Sequence, residues 1–199
     1  MGERILNLAA GKLKPIDLHL PDTDSFNYFL VNIDPMYYHY DKAEDIEKEY
    51  DTWSGVTCKE FYCVEKASSF MERTKLIFDR VCVYRYLEHV PFTEVEYFIY
   101  LLSTVTKSGS IVDVIVPNYE LLAGMISHEN VYSRGFAAHN ILVTTELLNE
   151  PSCPHASIWT KDRAKYFFEL EKRFKIINIQ ENYPFDGRDI YLRIIAGRV

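Results

Sequence analysis

Five residues, Pro184 to Arg188, separate the apolar runs KIINIQENY (175–183) and DIYLRIIAG (189–197). Both runs have strand composition, and a parallel crossover needs about a dozen connecting residues. The two runs must therefore pair as an antiparallel hairpin. Upstream, the signals alternate instead. RILNLAAG (4–11), YFLVNIDP (28–35), EFYCVE (60–65), LIFDRVCVYR (76–85) and SIVDVIVPN (110–118) read as strands. Stretches 41–53, 68–73 and 91–109 between them read as helices. Such alternation implies right-handed crossovers and parallel strands. Five parallel strands followed by one antiparallel hairpin leave few architectures open. The sequence predicts an α/β three-layer sandwich with a mainly parallel seven-stranded sheet, in one domain over 1–199, with an insertion at about 119–159.

The strongest helix signal lies over 91–109. Val95, Phe98, Ile99, Leu102 and Val105 share one face at helical spacing. Thr93 and Glu96 stand at capping-box spacing, and Gly109 is the expected stop. Ser69 and Glu72 repeat the capping-box spacing in the helix over 68–73, and Thr160 is the expected N-cap of a helix over 160–174. Further helices are expected near 120–126 and 137–149.

With 48% apolar residues in 199, the chain has the means to build a packed core. Its 22 basic and 29 acidic residues leave a net charge of −7, which argues against nucleic acid or an anionic membrane as partner. No apolar run reaches the ~18 residues of a membrane span. The start, MGERILNL, lacks the basic-then-apolar layout of a signal peptide, and Leu6 replaces the Ser or Thr of a myristoylation site. A soluble, cytoplasmic protein is expected. Cys58, Cys63, Cys82 and Cys153 lack metal-ligand spacing, and the six histidines form no HxH or HExxH pattern. No metal site is expected; Cys63 and Cys82 read as buried thiols.

In open α/β sheets, ligands bind beyond the carboxyl ends of the strands at the switch point. Here those ends are Ala9, Ala10 and Gly11, then Asp34, then the stretch YRYLEHVPF (84–92). Asp34 ends an apolar strand 23 residues after Gly11, where a carboxylate can accept both hydroxyls of a ribose. The plainer reading is a cap on the turn begun by Pro35. Glu88 and His89 read either as a solvated loop residue and a packing residue, or as groups facing a ligand beside Tyr84 and Arg85.

LNLAAG, NIDP, FDRVCVYRYLEHV, SGSIVDVIVPN and HASIWT, taken in order, resemble successive blocks of the class I S-adenosylmethionine-dependent methyltransferases, with a Rossmann-like fold. The likeness runs from about residue 4 to 195, is most specific in FDRVCVYRYLEHV and weakest at the first turn. It implies S-adenosylmethionine as cofactor. It implies that Ala9, Ala10 and Gly11 stand at the turn where the family's glycines meet the methionine part, and that Asp34 holds the ribose. Val64 and Glu65 would flank the adenine, Tyr84 and Arg85 would line the floor beneath the sulfonium, and Glu88 and His89 match the family's Glu-His pair. Ser108 and Gly109 stand where many members have Gly-Gly. Ala9 departs from the pattern, since a glycine there admits close backbone approach. Pro15 and Pro21 interrupt the first connection, which weakens the expected helix N-terminus.

The methyl acceptor implied is a small or sugar-containing molecule, contacted from 119–159 and the first connection. His128, His139, His155, Tyr119, Tyr132, Arg134 and Trp159 lie in that insertion, and His89, His155 and Trp159 are the substrate-side candidates. A second reading keeps the fold without catalysis, as a binding or assembly module. An NAD-dependent enzyme would need the three-glycine fingerprint that Ala9, Ala10 and Gly11 do not supply.

Overall fold

The computed structural model describes residues 2–8, 27–34, 46–127, 129–130, 132–135, 137, 156–185 and 187–199. Its strands are β1 (Glu3–Leu8), β2 (Tyr28–Ile33), β3 (Lys59–Cys63), β4 (Phe78–Tyr84), β5 (Thr106–Pro117), β6 (Phe174–Phe185) and β7 (Arg188–Arg198). The helices are α1 (Ile46–Thr52), α2 (Ala67–Arg73), α3 (Val95–Thr104), α4 (Tyr119–Ile126) and α5 (Lys161–Glu169), with 3₁₀ turns at Leu87–His89, Phe92–Glu94 and Leu170–Lys172. The strands form one sheet in the order β3-β2-β1-β4-β5-β7-β6. β1 to β5 pair in parallel, whereas β7 is antiparallel to both β5 and β6. The predicted Rossmann-like architecture, with its terminal hairpin, is the observed one.

Strand alternation divides the sheet into two apolar faces. Leu6, Leu8, Val31, Ile33, Val81, Val83, Val112 and Val114 pack with α1, α2, α3 and α5 on one face. Ile5, Leu30, Cys82, Tyr84, Ile115 and Tyr191 pack with α4 on the other. All five residues expected on the inner face of α3 are buried or flank it in the core: Val95, Phe98, Ile99, Leu102 and Val105. Cys63 and Cys82 are buried free thiols, and burial pushes both up to about 12.

Three local expectations are corrected. α3 ends at Thr104, so Gly109 does not stop it; Gly109 lies within β5 at φ +88°. There the ladder with β4 jumps from Phe78↔Thr106 to Arg80↔Ile111, and Ser110 Oγ donates to Phe78 O at 2.8 Å. The extra residues form a tight excursion that glycine accommodates. The cap residue of α3 is Glu94, preceded by a 3₁₀ turn, with no side-chain capping bond from Thr93. α2 begins at Ala67 after Lys66, which places Ser69 inside the helix and not at its cap. Thr160 does cap α5, accepting from the Arg163 N–H at 3.2 Å. The helix expected over 137–149 lies outside the described residues beyond Ala137. No helix among the described residues is long and apolar enough to cross a membrane.

Candidate functional site

The order of strands reverses between β1 and β4. At such a switch point the crossovers leave in opposite directions and open a crevice above the carboxyl ends. The ends meeting there are Leu8 of β1, Asp34 just beyond β2, and Tyr84 of β4.

Asp34 is only 7% exposed. Its N–H donates to Cys63 O at 3.0 Å, which extends the β2–β3 pairing one residue past β2 and holds its backbone at the sheet rim. Two residues before it, on the α4 face, lies a polar pair in an otherwise apolar layer. Asn7 and Asn32 are cross-strand partners, and Asn7 Nδ2 donates to Asn32 Oδ1 at 2.8 Å. Both are buried, and Asn7 Oδ1 has no hydrogen-bond partner among the described residues. A buried acceptor left unpaired costs about 1–3 kcal/mol. Ala9, Ala10 and Gly11, expected to meet Asp34 from β1, lie outside the described residues, as does His155.

Val64 is exposed beyond β3. Glu65 is taken by Arg73 of α2, whose Nε donates to Glu65 Oε2 at 3.1 Å and whose Nη2 donates to Oε1. Tyr84 is buried, and its hydroxyl donates to Asp113 Oδ2 at 3.0 Å. Arg193 of β7 grips the same carboxylate with two bonds, Nε to Oδ1 at 3.0 Å and Nη2 to Oδ2 at 2.6 Å. Burial, then the nearby Cys82 and Asp113, push the Tyr84 phenol far above its ordinary range. Tyr84 is thus tied into a network joining β4, β5 and β7.

The chain turns sharply after Tyr84. Arg85 adopts φ +57°, a left-handed conformation uncommon outside glycine. Its N–H donates to Ile115 O at 2.8 Å, while Nε donates to Glu88 Oε1 at 3.2 Å and Nη1 to the Tyr191 hydroxyl at 2.8 Å. Its guanidinium also sits over the Tyr191 ring, 5.3 Å from the centroid. Glu88 is fully buried, and its Oε2 has no hydrogen-bond partner among the described residues. Burial raises its carboxyl above the usual range, against the pull of His89 and Arg85.

The Glu88 backbone is anchored as well. Its carbonyl accepts from Ala156 N at 2.6 Å and Ser157 N at 3.0 Å. Ser157 Oγ donates to Leu87 O at 2.7 Å and accepts from Trp159 Nε1 at 3.0 Å. Trp159 is fully buried, and its carbonyl accepts from Tyr119 N at 3.2 Å. The two ends of the 119–159 segment therefore meet beside the Leu87–His89 turn. His89 is half-buried in that turn, its N–H donating to Tyr86 O at 2.9 Å. A cavity of about 320 Å³ lies between α3 and α5, and none of these strand-end residues lines it. No cluster of His, Cys, Asp and Glu able to hold a metal ion occurs among the described residues.

No protein-family model matches the chain, and no curated protein sequence does. Solved structures do match. An S-adenosylmethionine-dependent methyltransferase of Methanosarcina mazei superposes with a TM-score of 0.61 at 17% identity, over 100% of this chain and 93% of that one. The 1,6-didemethyltoxoflavin-N1-methyltransferase of Burkholderia thailandensis, with bound 1,6-didemethyltoxoflavin and S-adenosylhomocysteine, gives 0.60 at 11% identity, over 100% and 72% of the two chains. The fold is that of the S-adenosylmethionine-dependent methyltransferases. A mycolic acid cyclopropane synthase complexed with S-adenosylhomocysteine shares it, with a TM-score of 0.57 at 12% identity over 90% and 57% of the two chains.

On this methyltransferase sheet the donor set at the switch point can be tested for fit. A rim carboxylate suits a diol, and a buried amide oxygen lacking a donor suits an N–H group. Asp34 supplies the first just beyond β2, and among the described residues Asn7 Oδ1 is a buried amide oxygen without a donor. The Asn7–Asn32 pair and the Asp113–Arg193 pair were missed from sequence. The signal was present: a lone Asn in ILNL, another in LVNI, and a lone Asp in IVDVIV interrupt apolar strands.

Proposed function

We propose that this protein binds S-adenosylmethionine and transfers its methyl group to a small-molecule or sugar-containing acceptor. The observation that carries the reading is a buried carboxylate, Asp34, at the carboxyl end of β2, beside the β1/β4 switch point of a methyltransferase-type sheet. Asp34 accepts the ribose hydroxyls. The turn at Ala9, Ala10 and Gly11 carries the methionine part. Val64 borders the adenine side, its exposed side chain offering an apolar edge.

When bound, the cofactor supplies a methyl group on a sulfonium. The protein's part is alignment and exclusion of water. Tyr84 and Arg85 contribute to the floor as a rigid support, because the Asp113–Arg193 network and the bond to Ile115 O hold them in place. Residues 119–159 carry the acceptor side, rooted at the Leu87–His89 turn; His89 and His155 contribute from there, and Trp159 holds the root.

Calorimetric titration with S-adenosylmethionine and S-adenosylhomocysteine tests this. Saturable binding by the wild-type chain is expected. Asp34→Ala should weaken it by about tenfold to a hundredfold, the equivalent of ~1.4–2.8 kcal/mol for lost hydrogen bonds to a charged acceptor. No heat and no thermal shift at millimolar ligand would overturn the reading.

A further inference from the structure

We propose that the α3/α5 face is where two copies of this chain associate, in a two-fold dimer that sets α3 of each copy against α5 of the other. The inference does not depend on the cofactor reading.

That face leaves a continuous aromatic surface in water. Phe92, Tyr97, Tyr100 and Tyr166 are 41–63% exposed. Phe92 and Tyr166 both contact Phe167, with ring centroids 5.7 and 5.2 Å apart, and Tyr97 stacks on Tyr100 at 6.0 Å. The cavity of about 320 Å³ joins the two groups, since Phe167 lines one wall and Tyr97 and Tyr100 line the other. An aromatic side chain can bury about 150–250 Å², so these half-exposed rings offer roughly 300–500 Å². A standard interface buries about 800 Å² per partner, somewhat more than half of it apolar. The aromatic surface therefore matches the apolar part of one such footprint.

The rings are ordered before any partner arrives. The Tyr97 hydroxyl donates to Glu72 Oε1 at 3.1 Å. The Arg173 guanidinium sits 4.7 Å from the Tyr100 ring centroid, and that of Arg163 sits 4.7 Å from the Phe92 centroid. Side chains held in this way lose little freedom on association. Aromatic residues and arginine are also the types enriched at interface centres.

Charge selects a second copy as the occupant. A net charge of −7 opposes indiscriminate self-association, so pairing needs local complementarity. One wall of the groove is acidic: no Lys or Arg occurs from Tyr86 to Thr106, and Glu94 and Glu96 are exposed. Glu96 lines the cavity and makes no ion pair among the described residues. The other wall carries Arg163 and Arg173. Phe92 meets Phe167 and Tyr100 meets Arg173, so the two walls run in the same direction. A two-fold axis lying along the groove turns the acidic wall of each copy onto the basic wall of the other, and every contact occurs twice. Glu96 lies one helical turn, about 6 Å, from Tyr100, which puts it within the span of an arginine side chain. Glu96 of one copy thus pairs with Arg173 of the other.

The test is sedimentation equilibrium of the full chain from about 0.1 to 100 μM at low salt. Wild type should pass from one-chain to two-chain mass over that range. Glu96→Arg alone and Arg173→Glu alone each set like charges face to face twice, and each should weaken association by at least about tenfold. Mixed in equal amounts, these two variants should form a heterodimer, because both contacts then join opposite charges. Tyr97→Ala removes an exposed ring, should weaken association too, and serves where a charge variant does not fold. Wild type that stays one chain at every concentration would hand this face to a different partner and overturn the inference. Association unchanged in both charge variants, or a mixture no tighter than its components, would overturn it as well.

Discussion

Replacing Tyr84 by Phe asks whether the residue at the end of β4 serves a ligand or the framework. Its hydroxyl donates to Asp113 Oδ2 at 3.0 Å. Asp113 keeps two bonds from Arg193 when Tyr84 loses its hydroxyl, so no charge is stranded. The cost should sit at the low end for a bond to a charged acceptor, about 1.5 kcal/mol. For a chain of this length that lowers the melting temperature by ~3–6 °C. Asp113→Ala is different. It strips the partner from Arg193, whose side chain is 19% exposed, and removes a carboxylate that is 3% exposed. Breaking a buried pair from one side costs about 3–5 kcal/mol, or ~6–20 °C in melting temperature. The assay is thermal unfolding followed by circular dichroism, run beside calorimetric titration of S-adenosylhomocysteine. Tyr84→Phe should leave the affinity within about twofold, a change of ~0.4 kcal/mol. An affinity loss of tenfold or more with an unchanged melting temperature would refute the framework role and make the hydroxyl a ligand contact.

Other outcomes follow from single contacts. Thr160→Ala removes the cap of α5 and should cost about 1 kcal/mol, read as a ~2–4 °C lower melting temperature. Asn32→Ala leaves the buried Asn7 amide without its acceptor and should cost about 1–3 kcal/mol in chemical denaturation; Asn7→Leu with Asn32→Leu together should cost less than Asn32→Ala alone. For Glu88 the sign follows from a carboxyl raised by burial in the folded state. Its favourable contribution is fully present below the unfolded value, about 4.3, and is lost as pH rises through the folded value. Glu88→Gln should therefore gain stability relative to wild type as pH climbs above the unfolded value. A pH-independent difference between the two denaturation profiles would contradict this.

Much of the fold was legible in the sequence because the signals are local. Val95, Phe98, Ile99 and Leu102 recur at helical spacing within one turn or two, and they are buried as that spacing requires. Thr160 caps α5 through its own backbone neighbourhood. Gly109 shows the limit. A glycine after a helical pattern reads as a stop, but the chain had already entered β5, and the bond from Ser110 to Phe78 O sets the excursion there. That bond spans 32 residues, and no window of sequence contains it. At the candidate site, Asp34 was legible as an acid ending an apolar strand. The commitments of Tyr84 to Asp113 and of Glu65 to Arg73 were not, because each depends on which surfaces face each other.

The sequence by itself determined the alternation of strands and helices and the antiparallel close, since a five-residue link has no room for a crossover. Only the tertiary structure decided which polar residues share a partner. Asp113 meets Arg193 across 80 residues, and Asn7 meets Asn32 across 25, through strand register alone. Periodicity is a property of neighbours along the chain. Register between distant strands is a property of the assembled sheet, and it assigns each buried charge and amide its partner.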